Sequence, residues 1–196
     1  MRSMASSARI DLTNQFLIAM PGMADENFDG AVVYLCEHNE KGALGLVINK
    51  PIDIKLRNLF EKVELQLDRV ELADQPVYFG GPVQTERGFV LHERVGQDGA
   101  GYNSTMSVPG GLEMTTSKDV LEALASGSGP SRVLITLGYS GWQAGQLEDE
   151  ISRNGWLTVD ADPAIIFDTP AANRHNKALA LLGFDPRMLS QEVGHS

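Results

Sequence analysis

The chain has 196 residues, 42% of them hydrophobic, which suffices for the core of one compact domain, and its one cysteine, Cys36, excludes an intrachain disulfide. Its formal net charge is −10 at pH 7 and its 16 Lys and Arg residues are scattered, so direct contact with a nucleic-acid backbone is disfavoured. The polar N-terminus has no apolar core of signal-peptide length, and no apolar run approaches the roughly 20 residues that span a bilayer, so we expect a cytoplasmic protein outside the membrane.

The first half of the chain alternates apolar runs with polar or glycine-containing breaks. This pattern predicts strands at residues 16–20, 31–36 and 43–48, the last two joined as a hairpin. Asn49-Lys50-Pro51 is expected to end the hairpin, because proline removes a backbone donor and restrains the residue before it. A helical face with apolar residues at i, i+3, i+4 and i+7 predicts one amphipathic helix, marked by Leu56, Leu59, Phe60 and Val63.

The second half of the chain mixes further strands with helices. Strands are predicted at residues 77–79, 88–92, 105–108, 132–137 and 156–159, and helices at 117–124, 141–153 and 171–182, the last stopped by Gly183 and Pro186. Strands and helices do not alternate strictly, which favours an α+β fold over a doubly wound sheet. We expect a flexible N-terminal segment (1–11), a single domain (12–190) and a C-terminal tail (191–196).

Five sequence blocks, in a fixed order along nearly the whole chain, resemble the YqgE/AlgH family of bacterial proteins. The blocks are Phe-Leu-Ile-Ala-Met-Pro (16–21), Tyr-Leu-Cys-Glu-His-Asn (34–39), Gly-Leu-Val-Ile-Asn-Lys-Pro (45–51), residues 78–83 with 88–92, and residues 138–142 with 145–148. The resemblance implies a single domain with a curved, bifurcated mixed β-sheet, an incomplete pseudo-barrel flanked by helices. Some family members are labelled transcriptional regulators, a label that implies no direct contact with DNA.

The segment Gly138-Tyr139-Ser140-Gly141-Trp142 nearly matches the nucleophile elbow Gly-x-Ser-x-Gly. A hydrolase would use Ser140 as the nucleophile and His175 as the base, with Asp160, Asp162 or Asp168 as the third member. The favoured interpretation is structural: Ser140 caps a helix with Gln143 as its capping-box partner, and His175 packs against the core.

Trp142 is predicted to lie in the first turn of that helix, on the side opposite a buried stripe formed by Ala144, Leu147 and Ile151. A tryptophan on that side either folds back onto a neighbouring loop or contacts a partner. Both alternatives stay open at the level of sequence. The carboxylates of residues 148–150 complement the helix dipole and need no catalytic role.

Several smaller motifs have a structural and a functional interpretation. Gly80-Gly81-Pro82 permits a close approach to a ligand or to another segment of chain, and we favour a tight bend between strands. Lys50 could attract an anion. Cys36 and His38 are expected on one side of a strand and could hold zinc with His92, but a buried reduced thiol is the favoured interpretation, so we expect neither a metal nor a cofactor.

The sequence therefore favours a non-catalytic binding or regulatory domain that recognises a protein partner or a small ligand, as a monomer or weak oligomer. The expected recognition surface consists of Asn49, Lys50, Gly80, Gly81, Pro82, His92, Tyr139, Ser140, Trp142 and Gln146. The alternatives are a small-molecule hydrolase that uses Ser140 and a transcriptional regulator without direct DNA contact.

Overall fold

In a computed structural model, which describes residues 11–21, 26–94 and 101–183, the described chain forms ten strands and six α-helices. The strands are β1 (Gln15–Ala19), β2 (Val32–Asn39), β3 (Gly42–Val47), β4 (Pro51–Lys55), β5 (Pro76–Phe79), β6 (Val83–Glu93), β7 (Thr105–Val108), β8 (Leu112–Thr115), β9 (Val133–Gln143) and β10 (Trp156–Asp160). The helices are α1 (Leu56–Lys62), α2 (Val70–Ala73), α3 (Lys118–Ala125), α4 (Gln146–Ser152), α5 (Pro163–Phe167) and α6 (Ala171–Leu181).

The strands form one curled, open sheet that divides at β9. Its main order is β10-β1-β2-β3-β9-β6-β8-β7, and β4 joins it through β5. On one side β9 pairs with β6, and on the other its first half pairs with β5 and its second half with β3. The β5–β9 pair is parallel and the other pairs are antiparallel, so the sheet is mixed. The predicted α+β domain with a curved, bifurcated sheet is confirmed.

Helices cover both faces of the sheet, which explains why β2 is apolar at successive positions instead of alternating. Val32 and Tyr34 belong to the cluster that packs against α5 and α6, whereas Val33 and Leu35 belong to the cluster that packs against α4. A third cluster joins α1, α2 and α3 to β6 and β9. The central strands therefore contribute side chains to two different hydrophobic clusters, one on each face of the sheet.

Gly80-Gly81-Pro82 carries the chain across β9. Both β5 and β6 pair with the same residues of β9, so they lie on opposite sides of it and the linking residues must pass over the strand. A Cβ on Gly80 would lie 2.2 Å from the carbonyl oxygen of Gly138, and one on Gly81 would lie 2.2 Å from that of Tyr139. The motif thus lets one segment of the chain cross closely over another. This agrees with the favoured sequence interpretation, a tight bend between strands.

The largest correction concerns the end of β9. The strand was expected to stop at residue 137 and a helix to begin at 141, but β9 continues to Gln143 and α4 begins at Gln146. The chain turns at Gly145, whose φ of 77° lies in the left-handed region. Pro51 does end the hairpin, but it also begins β4, which the sequence analysis did not predict.

Some predictions fall on other parts of the chain. Apart from Asp11, the segments 1–11 and 191–196 lie outside the described residues, as do Gly22 and Pro186. The domain limits 12–190 therefore stay a prediction. No helix within the described ranges is both long and apolar enough to cross a bilayer.

Candidate functional site

Ser140 is a buried residue in the middle of a strand. It is 0% exposed, it lies opposite Gly45 of β3, and its hydroxyl donates a hydrogen bond to the carbonyl oxygen of Gly80 at 3.0 Å. Such a hydroxyl neither projects from a strand-to-helix turn nor caps a helix. The nucleophile-elbow and capping-box interpretations of Ser140 are therefore both wrong.

The residues proposed to complete a triad with Ser140 make other contacts. His175 lies on α6, where burial lowers its pKa and the backbone of Ala19 is its hydrogen-bonding neighbour. The three candidate aspartates are engaged elsewhere: Asp160 with Gln15, Asp162 as the cap of α5, and Asp168 with Arg132. The described residues thus contain no relay that would activate this serine.

Trp142 faces the protein interior. Its side chain is 5% exposed and stacks on Phe28, with ring centroids 6.0 Å apart and planes at 19°. It also meets Trp156 edge to face, at 6.0 Å and 75°. The prediction that Trp142 points away from the core is wrong, because alternation along a strand places it on the same face as Ser140. Of the two alternatives for this ring, intramolecular cover is correct.

One carboxylate, that of Glu150, holds both tryptophans. Its Oε1 accepts hydrogen bonds from Nε1 of Trp142 at 3.0 Å and from Nε1 of Trp156 at 2.9 Å. Its Oε2 accepts from Nε2 of Gln146 at 3.0 Å. Buried indole N–H groups need such acceptors, so Glu150 ties α4 to the sheet.

Asn49 and Lys50 organise the end of β3. Oδ1 of Asn49 accepts from the backbone N–H of Val32 at 2.8 Å, and its Nδ2 donates to the carbonyl oxygen of Gly30 at 2.9 Å. The carbonyl oxygen of Lys50 accepts from the N–H of Phe79 at 2.8 Å. These contacts lie next to the Gly80 crossing and hold strand ends together.

His92 lies far from the residues with which it was expected to converge. It pairs with Val133, whereas Val83 of the same strand pairs with Tyr139, six residues further along β9. At about 3.3 Å per residue this separation is roughly 20 Å. The prediction that His92 shares a surface with Tyr139 is therefore wrong.

The His92 ring is the end of a buried chain of hydroxyl groups. Nδ1 donates to the carbonyl oxygen of Glu93 at 2.7 Å, so Nε2 accepts from the Thr115 hydroxyl at 2.7 Å. The Thr115 hydroxyl in turn accepts from that of Thr105 at 2.8 Å. This arrangement suits a neutral imidazole, and burial lowers the pKa of His92, opposed by its bond to Glu93 and the charge of Glu113.

We expect the lowered pKa of His92 to make the protein less stable in mild acid. Below about pH 6.5, the ordinary pKa of histidine, the unfolded chain binds a proton that the folded state resists. The contribution of neutral His92 to the free energy of unfolding is thus complete above about pH 6.5. It is lost as the pH falls towards the pKa of His92 in the folded state. The measurement is the free energy of unfolding at about pH 7.5 and about pH 5.5. In a His92→Gln variant, the free energy of unfolding should differ less between these two pH values. If the difference is the same as in the wild type, His92 is not the source of the acid sensitivity.

Cys36 and His38 lie on opposite faces of β2, because the register shifts between Leu35 and Glu37. Cys36 belongs to the cluster under α5 and α6, and burial raises the pKa of its thiol. His38 faces α4, where Nδ1 accepts from the N–H of Leu12 at 3.0 Å and Nε2 lies 2.9 Å from a carboxylate oxygen of Glu148. The expected placement of the two side chains on one side is wrong, and no group of three potential metal ligands occurs in the described ranges.

A groove opens beside the end of β2, the start of β3 and the end of β9, and we call it the Gly141 groove. Its volume is about 560 Å³. It is lined by Glu37, Asn39, Lys41, Gly42, Ala43, Leu44, Val83, Tyr139, Gly141, Trp142, Gln143 and Gln146. Of the predicted recognition residues, it brings together Tyr139, Trp142 and Gln146. The others lie outside it: Asn49, Lys50, Gly80, Gly81, Pro82, His92 and Ser140.

The strand register explains why the groove exists. Glu37, Leu44 and Gly141 are paired side by side across three neighbouring strands. Gly141 contributes no side chain, and a Cβ at that position would meet only Cε2 of Tyr139, at 3.3 Å. A glycine in a strand marks a place where something else can approach the backbone. Gly141 forms the floor, with Leu44 and Tyr139 as half-buried apolar walls.

The rim of the groove carries two exposed charges, Glu37 and Lys41. Neither side chain makes an ion pair within the described part of the chain. The Gln146 side chain, by contrast, has a structural role, since its Oε1 accepts a hydrogen bond from the backbone N–H of Gln143 at 3.0 Å. The sequence analysis missed Glu37 and Leu44, because only the register of the three strands brings them beside Gly141.

The fold and the groove define a class of protein: an α+β domain with a divided, half-open sheet and a small groove at one end of it. Comparison with known proteins identifies a particular family within that class. The chain belongs to the AlgH-like family, whose model (DUF179) matches residues 16–187. The predicted family is confirmed.

Relatives and solved structures support this membership along the length of the chain. The chain is 69% identical to the UPF0301 protein Reut_A0705 of Cupriavidus pinatubonensis, over 97% of this chain and 98% of that one. It is 68% identical to the UPF0301 protein RSc0675 of Ralstonia nicotianae, over 96% and 97%. The solution structure of AlgH from Pseudomonas aeruginosa matches with a TM-score of 0.76 at 51% identity, covering 92% of this chain and 93% of that one. Protein DIP2367 of Corynebacterium diphtheriae, at 21% identity, a TM-score of 0.67 and 86% coverage of each chain, shows the shared fold alone.

Proposed function

We propose that the protein is a non-catalytic cytoplasmic binding domain of regulatory type, which recognises a protein partner or a small ligand in the Gly141 groove. The observation that carries the proposal is the groove itself. It has a glycine floor, apolar walls and two rim charges that form no ion pair within the described residues. Its volume of about 560 Å³ lies within the range of ligand sites.

The chemistry of the groove favours recognition over catalysis. None of its described lining residues is Ser, Cys or His, and no hydrogen bond joins its titratable side chains, Glu37, Lys41 and Tyr139, within the described residues. The net charge of −10 favours action through a partner over contact with DNA. A regulatory effect would then follow from occupancy of the groove.

The proposal is tested by filling the groove with a side chain. Gly141→Val adds methyl groups at the floor, and its Cβ would meet only the half-buried Tyr139 ring. Gly88→Val is the matched control, because Gly88 is also a strand residue and a Cβ there would meet nothing within 4 Å. Both variants and the wild type are used to capture proteins and metabolites from a lysate of the source bacterium, after thermal melting has shown that all three are folded.

The expected result is a partner or metabolite that Gly88→Val retains and Gly141→Val loses. Identical recovery by both variants would contradict the assignment of the groove. Recovery of nothing above background by Gly88→Val and the wild type would contradict a binding role.

A further inference from the structure

The turn that follows α4 contains the one Asn-Gly pair of the sequence, Asn154-Gly155. In such a pair the backbone nitrogen of the glycine can attack the side-chain carbonyl carbon of the asparagine, because glycine has no Cβ to hinder the approach. The Asn154 side chain is exposed and makes no hydrogen bond within the described residues. Its amide group is therefore free to react whenever the backbone allows the attack.

The folded backbone opposes that attack. The N–H of Gly155 donates to the carbonyl oxygen of Glu150 at 2.8 Å, and the N–H of Asn154 donates to that of Ile151 at 2.9 Å. With the left-handed φ of 63° at Asn154, these two bonds form a Schellman motif at the end of α4. The Gly155 nitrogen becomes a nucleophile only when it gives up its proton, so it must first leave the Glu150 carbonyl. Attack therefore requires the last turn of α4 to open.

The position of this turn favours local opening on one side only. The α4 helix has seven residues, and residues 152–154 at its end are exposed. Exposed terminal turns open at a lower free energy than the core of a protein does. The chain beyond the turn is fixed, since the carbonyl oxygen of Gly155 accepts from the N–H of Met20 at 3.1 Å and Trp156 pairs with Ala19. The reactive pair thus lies between an exposed helix end and a buried strand.

We propose that Asn154-Gly155 is a self-modification site, at which opening of the last turn of α4 permits the loss of ammonia from Asn154. The Gly155 nitrogen gives its proton to solvent hydroxide and bonds to Cγ of Asn154, and the bond from Cγ to the side-chain nitrogen breaks. That nitrogen takes up a proton and leaves as ammonia, so the first product is a cyclic imide. Water then opens either carbonyl of the ring and leaves aspartate or isoaspartate at this position.

Either product weakens the junction between α4 and β10. A new carboxylate at the C-terminus of a helix lies at the negative end of its dipole. Isoaspartate also adds one carbon to the main chain, which moves Gly155 out of register with Glu150 or with Met20. Because the Glu150 side chain holds both Trp142 and Trp156, the modification is expected to loosen the tryptophan cluster.

The test follows deamidation of the whole protein at mildly alkaline pH by peptide mapping with mass spectrometry. Asn154 should react before any other asparagine of the chain. Its rate should be at least about tenfold lower than in a free, capped peptide of residues 152–156, since two hydrogen bonds must break first. Reaction at the rate of the free peptide would overturn the gate, and earlier reaction at another asparagine would overturn the site.

Two variants of α4 test the gate separately. Glu150→Ala keeps the backbone bonds but removes the carboxylate that holds the helix on the tryptophans, so deamidation of Asn154 should be at least about fivefold faster. Asp149→Ala removes an exposed side chain from the same helix and should change the rate by about twofold at most. Equal rates in Glu150→Ala and the wild type would overturn the gate, and no loss of ammonia from Asn154 in either would overturn the site.

Asn154→Gly tests the consequence for the fold. Glycine adopts the left-handed backbone of this position readily and has no amide to lose. After the same incubation, the wild type should unfold at a lower urea concentration and show red-shifted tryptophan fluorescence, whereas Asn154→Gly should keep its starting values. A wild type that is deamidated at Asn154 but unchanged in both measurements, or equal changes in the two proteins, would overturn the proposed effect on the cluster.

Discussion

Replacing Gly138 with alanine is expected to abolish cooperative folding. The residue has a φ of +81°, and an added Cβ would lie 2.3 Å from the carbonyl oxygen of Gly81, inside the strand crossing. The two segments already lie in close contact, since a Cβ added at Gly81 would be 2.2 Å from the carbonyl oxygen of Tyr139. We expect a loss above about 4 kcal/mol, which is comparable with the whole stability of many domains.

Gly127→Ala is the matched control for this prediction. Gly127 has a similar φ of +90°, but a Cβ there would meet nothing within 4 Å. Gly127→Ala should lower the free energy of unfolding only by the backbone strain, about 1 kcal/mol. Urea unfolding followed by far-ultraviolet circular dichroism measures both variants. Similar small losses in both would show that the crossing at Gly138 is looser than the geometry indicates.

Replacing Glu150 with alanine is expected to cost about 3 kcal/mol of unfolding free energy. The substitution leaves the indole N–H groups of Trp142 and Trp156 without their shared acceptor in a buried cluster, and it also frees Gln146. The protein has only these two tryptophans, so their fluorescence reports directly on the cluster.

Two comparison variants separate this effect from a general weakening of α4. Asp149→Ala removes an exposed i,i+4 pair with Arg153 and should cost at most about 0.5 kcal/mol. Glu150→Gln keeps an oxygen acceptor and should recover part of the loss. If Glu150→Ala unfolds at the same urea concentration as Asp149→Ala, the carboxylate does not hold the tryptophans as described.

The sequence predicted those parts of the fold in which local pattern and final environment agree. β1, β2 and β3 are apolar runs with clear breaks, and their predicted positions lie within a few residues of the observed ones. The α1 helix was predicted from its 3.6-residue period, and its Leu56 and Phe60 are buried as expected. Elements of four residues are too short to establish a period, and of these β5 and β7 were predicted whereas β8 and α2 were missed.

The error at the end of β9 changed the environments predicted for Ser140 and Trp142. The small residues Gly138, Ser140 and Gly141 resemble the sequence of a turn, but they lie within a continuous strand. There Gly138 permits the crossing of the Gly80–Pro82 segment, and Gly141 leaves room for the groove. A helical interpretation rotates each residue by about 100°, and a strand by about 180°. Trp142 was therefore placed on the side away from the core, although it is buried, and Ser140 at a helix cap, although it lies between strands.

A buried arginine illustrates a second limit. Arg174 lies on α6 and is 5% exposed, with Nε donating to the carbonyl oxygen of Thr169 at 2.9 Å and Nη1 donating to that of Ile48. Its guanidinium lies 4.9 Å from the ring centroid of Tyr78. Burial lowers its pKa, although its contacts with Tyr78 favour the charged form. A charged residue in an amphipathic pattern indicates a solvent-facing position, so composition alone could not find this one.

Hydrogen–deuterium exchange with and without the partner captured through the Gly88→Val comparison tests the central claim most directly. The account predicts slower exchange at residues 139–146 and 37–44, which surround Gly141, with no change in α1 and α2. Protection confined to α1 and α2, or to the exposed segment 84–87, would contradict it.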